Sequence, residues 1–197
     1  MKKNTIRIVA AVIAVVFLFV MVISFAACSS KENEPAVKTV ERKALSEPAE
    51  VTFWYEDNVG FVENPKKILQ GLKKFYNKTG VQPVVVFFEY NDLLWIDETN
   101  LYYDGAVEYL ESYYDEHFED ESHFILAYFA TEEDNAEMYG TFTYFAGDEA
   151  KKIMDEEMIS ILLECFDVYY FDTTYPIDEM MGNTFSDLAD RIEIVEE

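Results

Sequence analysis

The chain predicts an α/β protein, a three-layer α/β/α sandwich with a mixed sheet of about four strands, preceded by an N-terminal apolar helix. Three observations predict it. Residues 84–88 (Val84-Val85-Val86-Phe87-Phe88) and 124–130 are unbroken apolar runs, the pattern of strands covered on both faces. Around them lie stretches with apolar residues at three- and four-residue spacing, as in helices with one buried side. Half of the 197 residues are hydrophobic, and 16 Phe, 14 Tyr and 2 Trp are far too many for an acidic disordered chain.

The first element is the apolar run at residues 8–27, broken only by Ser24 and preceded by Lys2, Lys3 and Arg7. Twenty residues are about the length that crosses a hydrocarbon core of ~30 Å, and the leading positive charges place the N-terminus in the cytoplasm and the rest outside. Two readings of residues 1–28 stand side by side. Phe25-Ala26-Ala27-Cys28-Ser29 resembles a bacterial lipobox, in which Cys28 is lipidated after cleavage of a signal peptide. The alternative is an uncleaved single-pass transmembrane anchor. The polar spacer that begins at Ser29 favours the lipoprotein, and both readings expect a cell-membrane location with the folded part extracytoplasmic. Residues 29–50, rich in Ser, Lys, Glu, Ala and Pro and without an aromatic, read as a flexible linker, which leaves one domain over residues 51–197.

Within that domain residues 51–55 form a β-prone run ending in a Glu56-Asp57-Asn58 turn. Asn64 and Pro65 read as N-cap and first residue of a helix whose Ile68, Leu69, Leu72, Phe75 and Tyr76 face inward until Gly80 stops it. Its other side carries Lys66, Lys67, Lys73, Lys74 and Lys78, expected to be exposed. Residues 84–88 are expected to be the central strand, with Pro83 tolerable because it opens the strand. A loop with Trp95 leads to a helix over residues 104–118 with Ala106, Leu110, Tyr113, Tyr114 and His117 inward. Residues 124–130 and 138–145 are expected to pair as an antiparallel hairpin through the turn at 132–135. Gly147 and Asp148 open a helical region reaching residue 171, with a restart at Asp155. A last helix from Pro176 places Ile177, Met181, Phe185, Leu188 and Ile192 on one side.

The stretch Leu72-Lys73-Lys74-Phe75-Tyr76-Asn77-Lys78-Thr79-Gly80-Val81-Gln82-Pro83-Val84-Val85-Val86 resembles the helix, Thr-Gly-x-Gln turn and strand of TPM domains. These are extracytoplasmic α/β/α domains tethered to bacterial or organelle membranes, and the order of elements over residues 51–194 is similar too. The resemblance implies divalent-metal binding and phosphatase activity, both attributed to some members of a functionally diverse family. Many TPM domains carry Asp-Asn-Gly before the third strand, where this chain has Asp120-Glu121-Ser122. Their Gly-Tyr-Gly turn and following acidic residue correspond to Ala146-Gly147-Asp148-Glu149. The carboxylates remain at both places, while most of the glycines that let backbone approach a ligand are absent.

Charge narrows the function. Beyond residue 50, 8 basic residues face 34 acidic ones, and no Lys or Arg lies between Lys78 and Lys151, which speaks against a nucleic-acid partner. Asp57, Asp120, Glu121, Asp148 and Glu149 sit at strand–helix junctions and would supply a Ca²⁺ or Mg²⁺ site if those junctions met at one edge of the sheet. Each also has a plain structural account, with Asp148 as a helix N-cap and the others as solvated loop carboxylates. Glu108, Glu111, Asp115 and Glu119 recur at helical spacing as an acidic face without basic partners, suited to divalent cations or a basic protein surface. His117 and His123 lack the convergence a zinc site needs, and Cys165 lies in a helix-periodic apolar stretch. No nucleophile elbow, P-loop, metalloprotease or dinucleotide motif is present, so no catalytic residue is assigned. The expected function is a membrane-tethered, non-enzymatic binding or accessory module with an acidic cation-binding surface. The alternative is a divalent-metal-dependent phosphatase of the TPM type.

Overall fold

The two apolar runs become the middle strands of a four-stranded sheet. The computed structural model describes residues 38–97, 100–132, 140–170 and 175–195. The apolar segment at 8–27 and Cys28 lie outside the described residues, among which no helix is long and apolar enough to cross a membrane. In chain order the elements are β1 (Val40–Arg42), β2 (Tyr55–Asp57), α1 (Pro65–Thr79), β3 (Gln82–Phe88), β4 (Trp95–Asp97), β5 (Asn100–Leu101), α2 (Tyr103–His117), β6 (His123–Phe129), β7 (Thr141–Ala146), α3 (Glu156–Tyr170), α4 (Ile177–Asp190) and β8 (Ile192–Ile194).

The main sheet has the order β2-β3-β6-β7. β2, β3 and β6 are parallel, and β7 returns antiparallel to β6 as the expected hairpin. Every residue of β3 and β6 is buried. Successive side chains point to opposite faces, so these strands feed two cores. Val85, Phe87, Phe124, Leu126 and Tyr128 pack under α1, α3 and α4, while Val84, Val86, Phe88, Ile125, Ala127 and Phe129 pack under α2. Each such fully buried side chain is worth about 1.5–3 kcal/mol, so the layering follows directly from the two uninterrupted runs. This is the α/β sandwich the sequence predicts.

The punctuation of α1 is as expected. The Asn64 side chain accepts from the Lys66 amide at 3.3 Å, Pro65 takes the first helical position, and Gly80 ends the helix at φ +80° while donating to the Tyr76 carbonyl at 2.8 Å. Lys66, Lys67, Lys73 and Lys74 are exposed and Lys78 is half-buried. Lys67 pairs with Glu179 at 3.3 Å and Lys74 with Asp190 at 2.6 Å, both on α4. α1 and α4 cross so closely that Gly71 and Gly182 bring backbone against backbone. Asp178, in the first turn of α4, is buried and accepts from the Asn64 amide, tying the starts of the two helices together.

Four expectations change. Residues 38–50 are not a linker: the compact unit runs over Lys38–Glu197, and β1 pairs in parallel with β8. Leu45 and Ala49 donate backbone hydrogen bonds to the Thr79 and Gly80 carbonyls at 2.8 and 2.9 Å, and the Arg42 guanidinium reaches Asp155 and Glu157 at 2.9 Å. The segment has too little apolar surface to order alone and is held by the elements it packs against. Secondly, Ile192 does not extend the last helix but opens β8. Thirdly, β2 is displaced from residues 51–55 to Tyr55–Asp57, because the Gln82 side chain occupies the backbone of residues 52–53. Its Oε1 accepts from Thr52 N at 2.9 Å and its Nε2 donates to the Phe53 carbonyl at 2.8 Å. Lastly, His117 is exposed, stacked on Tyr113 with ring centroids 4.0 Å apart, and Phe118 takes the buried place as the helix ends.

A fragment starting at Val51 should therefore melt well below one starting at Lys38. Loss of β1, of buried Ala49 and of the Arg42 contacts is expected to lower Tm by several degrees, read from parallel circular-dichroism melts. Equal melting points would return residues 38–50 to the status of a spacer.

Candidate functional site

The topology decides which acidic residues can meet. Asp57 ends β2, whereas Asp120 and Glu121 precede β6 and Asp148 and Glu149 follow β7. Because β6 runs parallel to β2 and β7 antiparallel to both, the last four lie at the opposite end of the sheet from Asp57. Asp57 is level with Phe87 and, through it, with Tyr128, five residues along β6 from His123. At 3.2–3.4 Å per residue that is about 16 Å, far beyond the ~2.3–2.6 Å ligand distances of a shared Ca²⁺. Asp57 instead folds its own loop, accepting from Gly60 N at 2.8 Å and Val62 N at 2.7 Å. At the other end Glu121 accepts from the Asp148 amide at 2.9 Å, Asp148 pairs with Lys151 at 2.7 Å and Glu149 with Lys152 at 2.5 Å. Asp148 is thus an ion-pair partner and not the expected helix cap. Lys151 holds its carboxyl below the usual carboxylate range. Among the described residues no three His, Cys, Asp or Glu side chains are grouped to hold a metal ion.

Asp120 does structural work. Its carboxylate accepts from Glu50 N at 2.9 Å, Ser122 N at 2.7 Å and His123 Nδ1 at 2.9 Å. His123 is 1% exposed and stacked on Phe118 at 4.2 Å, and its Nε2 has no partner in hydrogen-bond geometry. Burial lowers its pKa below the ordinary value, against the opposing pull of Asp120 and of the Glu50 backbone. The folded domain therefore protonates this ring less readily than the unfolded chain, in which a histidine titrates near 6.5. Its contribution is fully present above that pH and is lost as pH falls toward the lower folded pKa, with a slope of at most about 1.4 kcal/mol per pH unit. Urea unfolding of wild type and His123→Gln between pH 5 and 8 should show that slope in the first and not in the second.

Cys165 is 1% exposed, and burial pushes its thiol up to about 11, so it is core and not nucleophile. Glu108, Glu111, Asp115 and Glu119 are all exposed, as the acidic stripe requires.

The site that sequence reasoning missed lies outside the carboxyl ends of β2, β3 and β6, where ligands commonly enter open α/β sheets. An open crevice of about 670 Å³ is lined by Asn58 after β2, Phe88 to Asp92 and Leu94 after β3, Glu132 after β6, and Tyr109 from α2. A short 3-10 turn, Asp92–Leu94, is capped by Asn91, whose side chain accepts from Leu93 N at 3.1 Å. Tyr109 stands edge-on to Phe88 at 5.2 Å and to Phe129 at 6.1 Å, which fixes its ring at the mouth. Burial, Glu56 and Glu116 raise the pKa of its hydroxyl. Beside it the Tyr113 hydroxyl donates to Glu56 at 2.6 Å, and burial together with that carboxylate raises its pKa strongly. The side-chain carboxylates of Glu89, Asp92 and Glu132 make no hydrogen bond or ion pair with other described residues. The lining therefore joins carboxylates to aromatic faces, a combination that accepts cations by charge and through the ring quadrupole. A signal was present: Glu89 and Asp92 follow the unbroken apolar run at residues 84–88 within four residues.

No protein-family model and no curated protein matches the chain. Among solved structures, the N-terminal domain of the cg2496 protein from Corynebacterium glutamicum, determined by solution NMR, is similar at 14% identity. The alignment covers 75% of this chain and 83% of that one, with a TM-score of 0.42.

Proposed function

We propose that the chain is a membrane-tethered extracytoplasmic module, TPM-like in architecture, that binds a cationic ligand at its acidic surface and catalyses no reaction. The observation that carries this reading is the crevice at the strand ends. All of its lining residues but Asn58 come from residues 79–150, which hold 18 Asp and Glu and no Lys or Arg, and its carboxylates stand beside tyrosine rings. Support for the TPM-like architecture comes from the Lys78-Thr79-Gly80-Val81-Gln82 stretch, in which Thr79, Gly80 and Gln82 have building roles. Thr79 Oγ1 donates to the Phe75 carbonyl at 2.9 Å and accepts from Val81 N at 3.1 Å, Gly80 caps the helix, and Gln82 holds residues 52–53. Against a metal-dependent phosphatase stands the strand register, which keeps Asp57 from sharing an ion with Asp148 and Glu149.

The test is a calorimetric titration of the full chain in neutral-lipid nanodiscs with CaCl₂ and with a basic peptide, alongside a phosphate-ester assay in Ca²⁺ or Mg²⁺. Binding of either cation, weakened in Glu89→Gln/Asp92→Asn, with no ester hydrolysis, is the expected result. Metal-dependent hydrolysis would overturn it. Tethering is tested separately: Cys28→Ala should abolish lipid labelling and leave a heavier, unprocessed precursor. A wild-type chain that keeps residues 1–27 and takes up no lipid would assign the single-pass anchor.

A further inference from the structure

We propose that the β4–β5 excursion and the crevice beside it form a docking surface for a basic protein segment that carries Lys or Arg around an aliphatic anchor. The proposal rests on the acidic-surface reading above and names the chemistry of the partner.

Among the described residues ten large hydrophobic side chains are exposed, and six of them fall within residues 90–109. Leu93 at 80% and Ile96 at 70% exposure are the two extremes, accompanied by Tyr90, Tyr102, Tyr103 and Tyr109. They are presented on a built element. Leu94 and Leu101 are buried in the core under α2, Trp95 pairs with Leu101 across β4 and β5, and Tyr102 N donates to the Leu94 carbonyl at 2.7 Å. The inner side of the excursion is thus fastened down while Leu93 and Ile96 are left in water. Scattered single apolar residues need no explanation, but a concentration of this kind marks an interaction site.

Charge selects the occupant. Glu89, Asp92, Asp97, Asp104 and Glu108 are interleaved with these residues, with no Lys or Arg in the same stretch. A second copy docked about a two-fold axis would set acidic patch on acidic patch, because such an interface is the same surface twice. An anionic membrane would repel the same carboxylates. A divalent ion has no use for the apolar tip, and no three acidic groups converge among the described residues. A basic, apolar segment satisfies both halves. Its cationic heads enter the crevice among Glu89, Asp92, Glu132 and the rings of Tyr90 and Tyr109, and its aliphatic side chain covers Leu93 and Ile96.

The test uses the full chain in phosphatidylcholine nanodiscs and a fluorescent eight-residue peptide of alternating Arg and Leu. Control peptides replace Leu by Ser, or Arg by Glu. Anisotropy should show binding of the Arg–Leu peptide that weakens in high salt, weaker binding of the Arg–Ser peptide and none of the Glu–Leu peptide. Affinity should fall at least tenfold in Leu93→Ser/Ile96→Ser and at least tenfold in Glu89→Lys/Asp92→Lys, with circular-dichroism melts confirming that both variants fold. Unchanged affinity in either variant overturns the proposal. Ca²⁺ binding without peptide binding also overturns it and leaves the acidic-surface reading standing, while absence of both ends both. Self-association lost in Leu93→Ser/Ile96→Ser, or a tryptophan fluorescence shift on added phosphatidylcholine vesicles that persists in Trp54→Phe, in each case without peptide binding, would give the surface to a second copy or to lipid and overturn it equally.

Discussion

Replacing Gly71 by Ala should destabilise the domain by more than about 3 kcal/mol, at or beyond the upper end of what overpacking normally costs. A Cβ at Gly71 would stand 1.8 Å from the Gly182 carbonyl oxygen, and one at Gly182 would stand 2.2 Å from the Lys67 carbonyl oxygen. Both obstacles are backbone, so no rotamer change relieves them and α1 and α4 must move apart. That separation loosens Ile68, Leu72 and Phe75 from Met181, Phe185 and Leu188, including the edge-to-face pair of Phe75 and Phe185 at 5.9 Å. Gly60 is the natural control: its φ is +86°, yet nothing lies within 4 Å of its Cβ position, so Gly60→Ala carries only the left-handed strain of about 1–2 kcal/mol. Urea unfolding of both variants measures the difference. A cost below about 1 kcal/mol for Gly71→Ala would mean that the two helices can separate freely.

Gln82→Leu is the second substitution with a large expected effect, about 2–4 kcal/mol. The side chain is fully buried and stands in for a missing stretch of strand, and leucine of similar size fills the space without its two hydrogen bonds. Thr52 N and the Phe53 carbonyl lose their partners, at roughly 1–3 kcal/mol for each group that stays buried. Beyond the drop in stability, amide exchange at Thr52 should accelerate strongly while exchange within β6 follows only the global change. Equal protection of Thr52 in both proteins would show that the segment is held by something other than Gln82. The effect should also reach the crevice, since Asn58 is placed there by β2.

What could be read from the chain was whatever its residues encode locally. Asn64, Pro65 and Gly80 bracket α1 with side-chain and backbone preferences of their own, and residues 84–88 and 124–130 can satisfy their composition only in the interior. Val40-Glu41-Arg42 carries no comparable signal, because its strand exists by virtue of Ile192–Ile194, some 150 residues away. The displacement of β2 was equally hidden, since one glutamine imitating backbone leaves no period in the sequence. The five candidate metal residues divide between the two ends of the sheet for a reason that was available. Parallel crossovers into β3 and β6 followed by the antiparallel β7 send Asp148 to the end opposite Asp57, and strand parity alone would have parted them. The crevice was overlooked because Glu89 and Asp92 look like ordinary loop acids until β2 and β6 bring Asn58 and Glu132 alongside.

The pairing of β1 with β8 has a mechanical side. Any pull applied through the chain before Lys38 enters the domain at Val40 and runs along the axis of β1. The backbone bonds that fasten β1 to the C-terminal segment, Val40 N to the Arg191 carbonyl at 2.8 Å and Val195 N to the Arg42 carbonyl at 3.0 Å among them, lie across that axis. They are loaded together, in shear, and not peeled one after another. The Arg42 contacts with Asp155 and Glu157 pass part of the same force directly into the start of α3. The crevice and the β4–β5 excursion lie off this load path, so tension applied through the chain before Lys38 is borne by the pairing of β1 with β8 before it reaches the surface proposed to hold a partner.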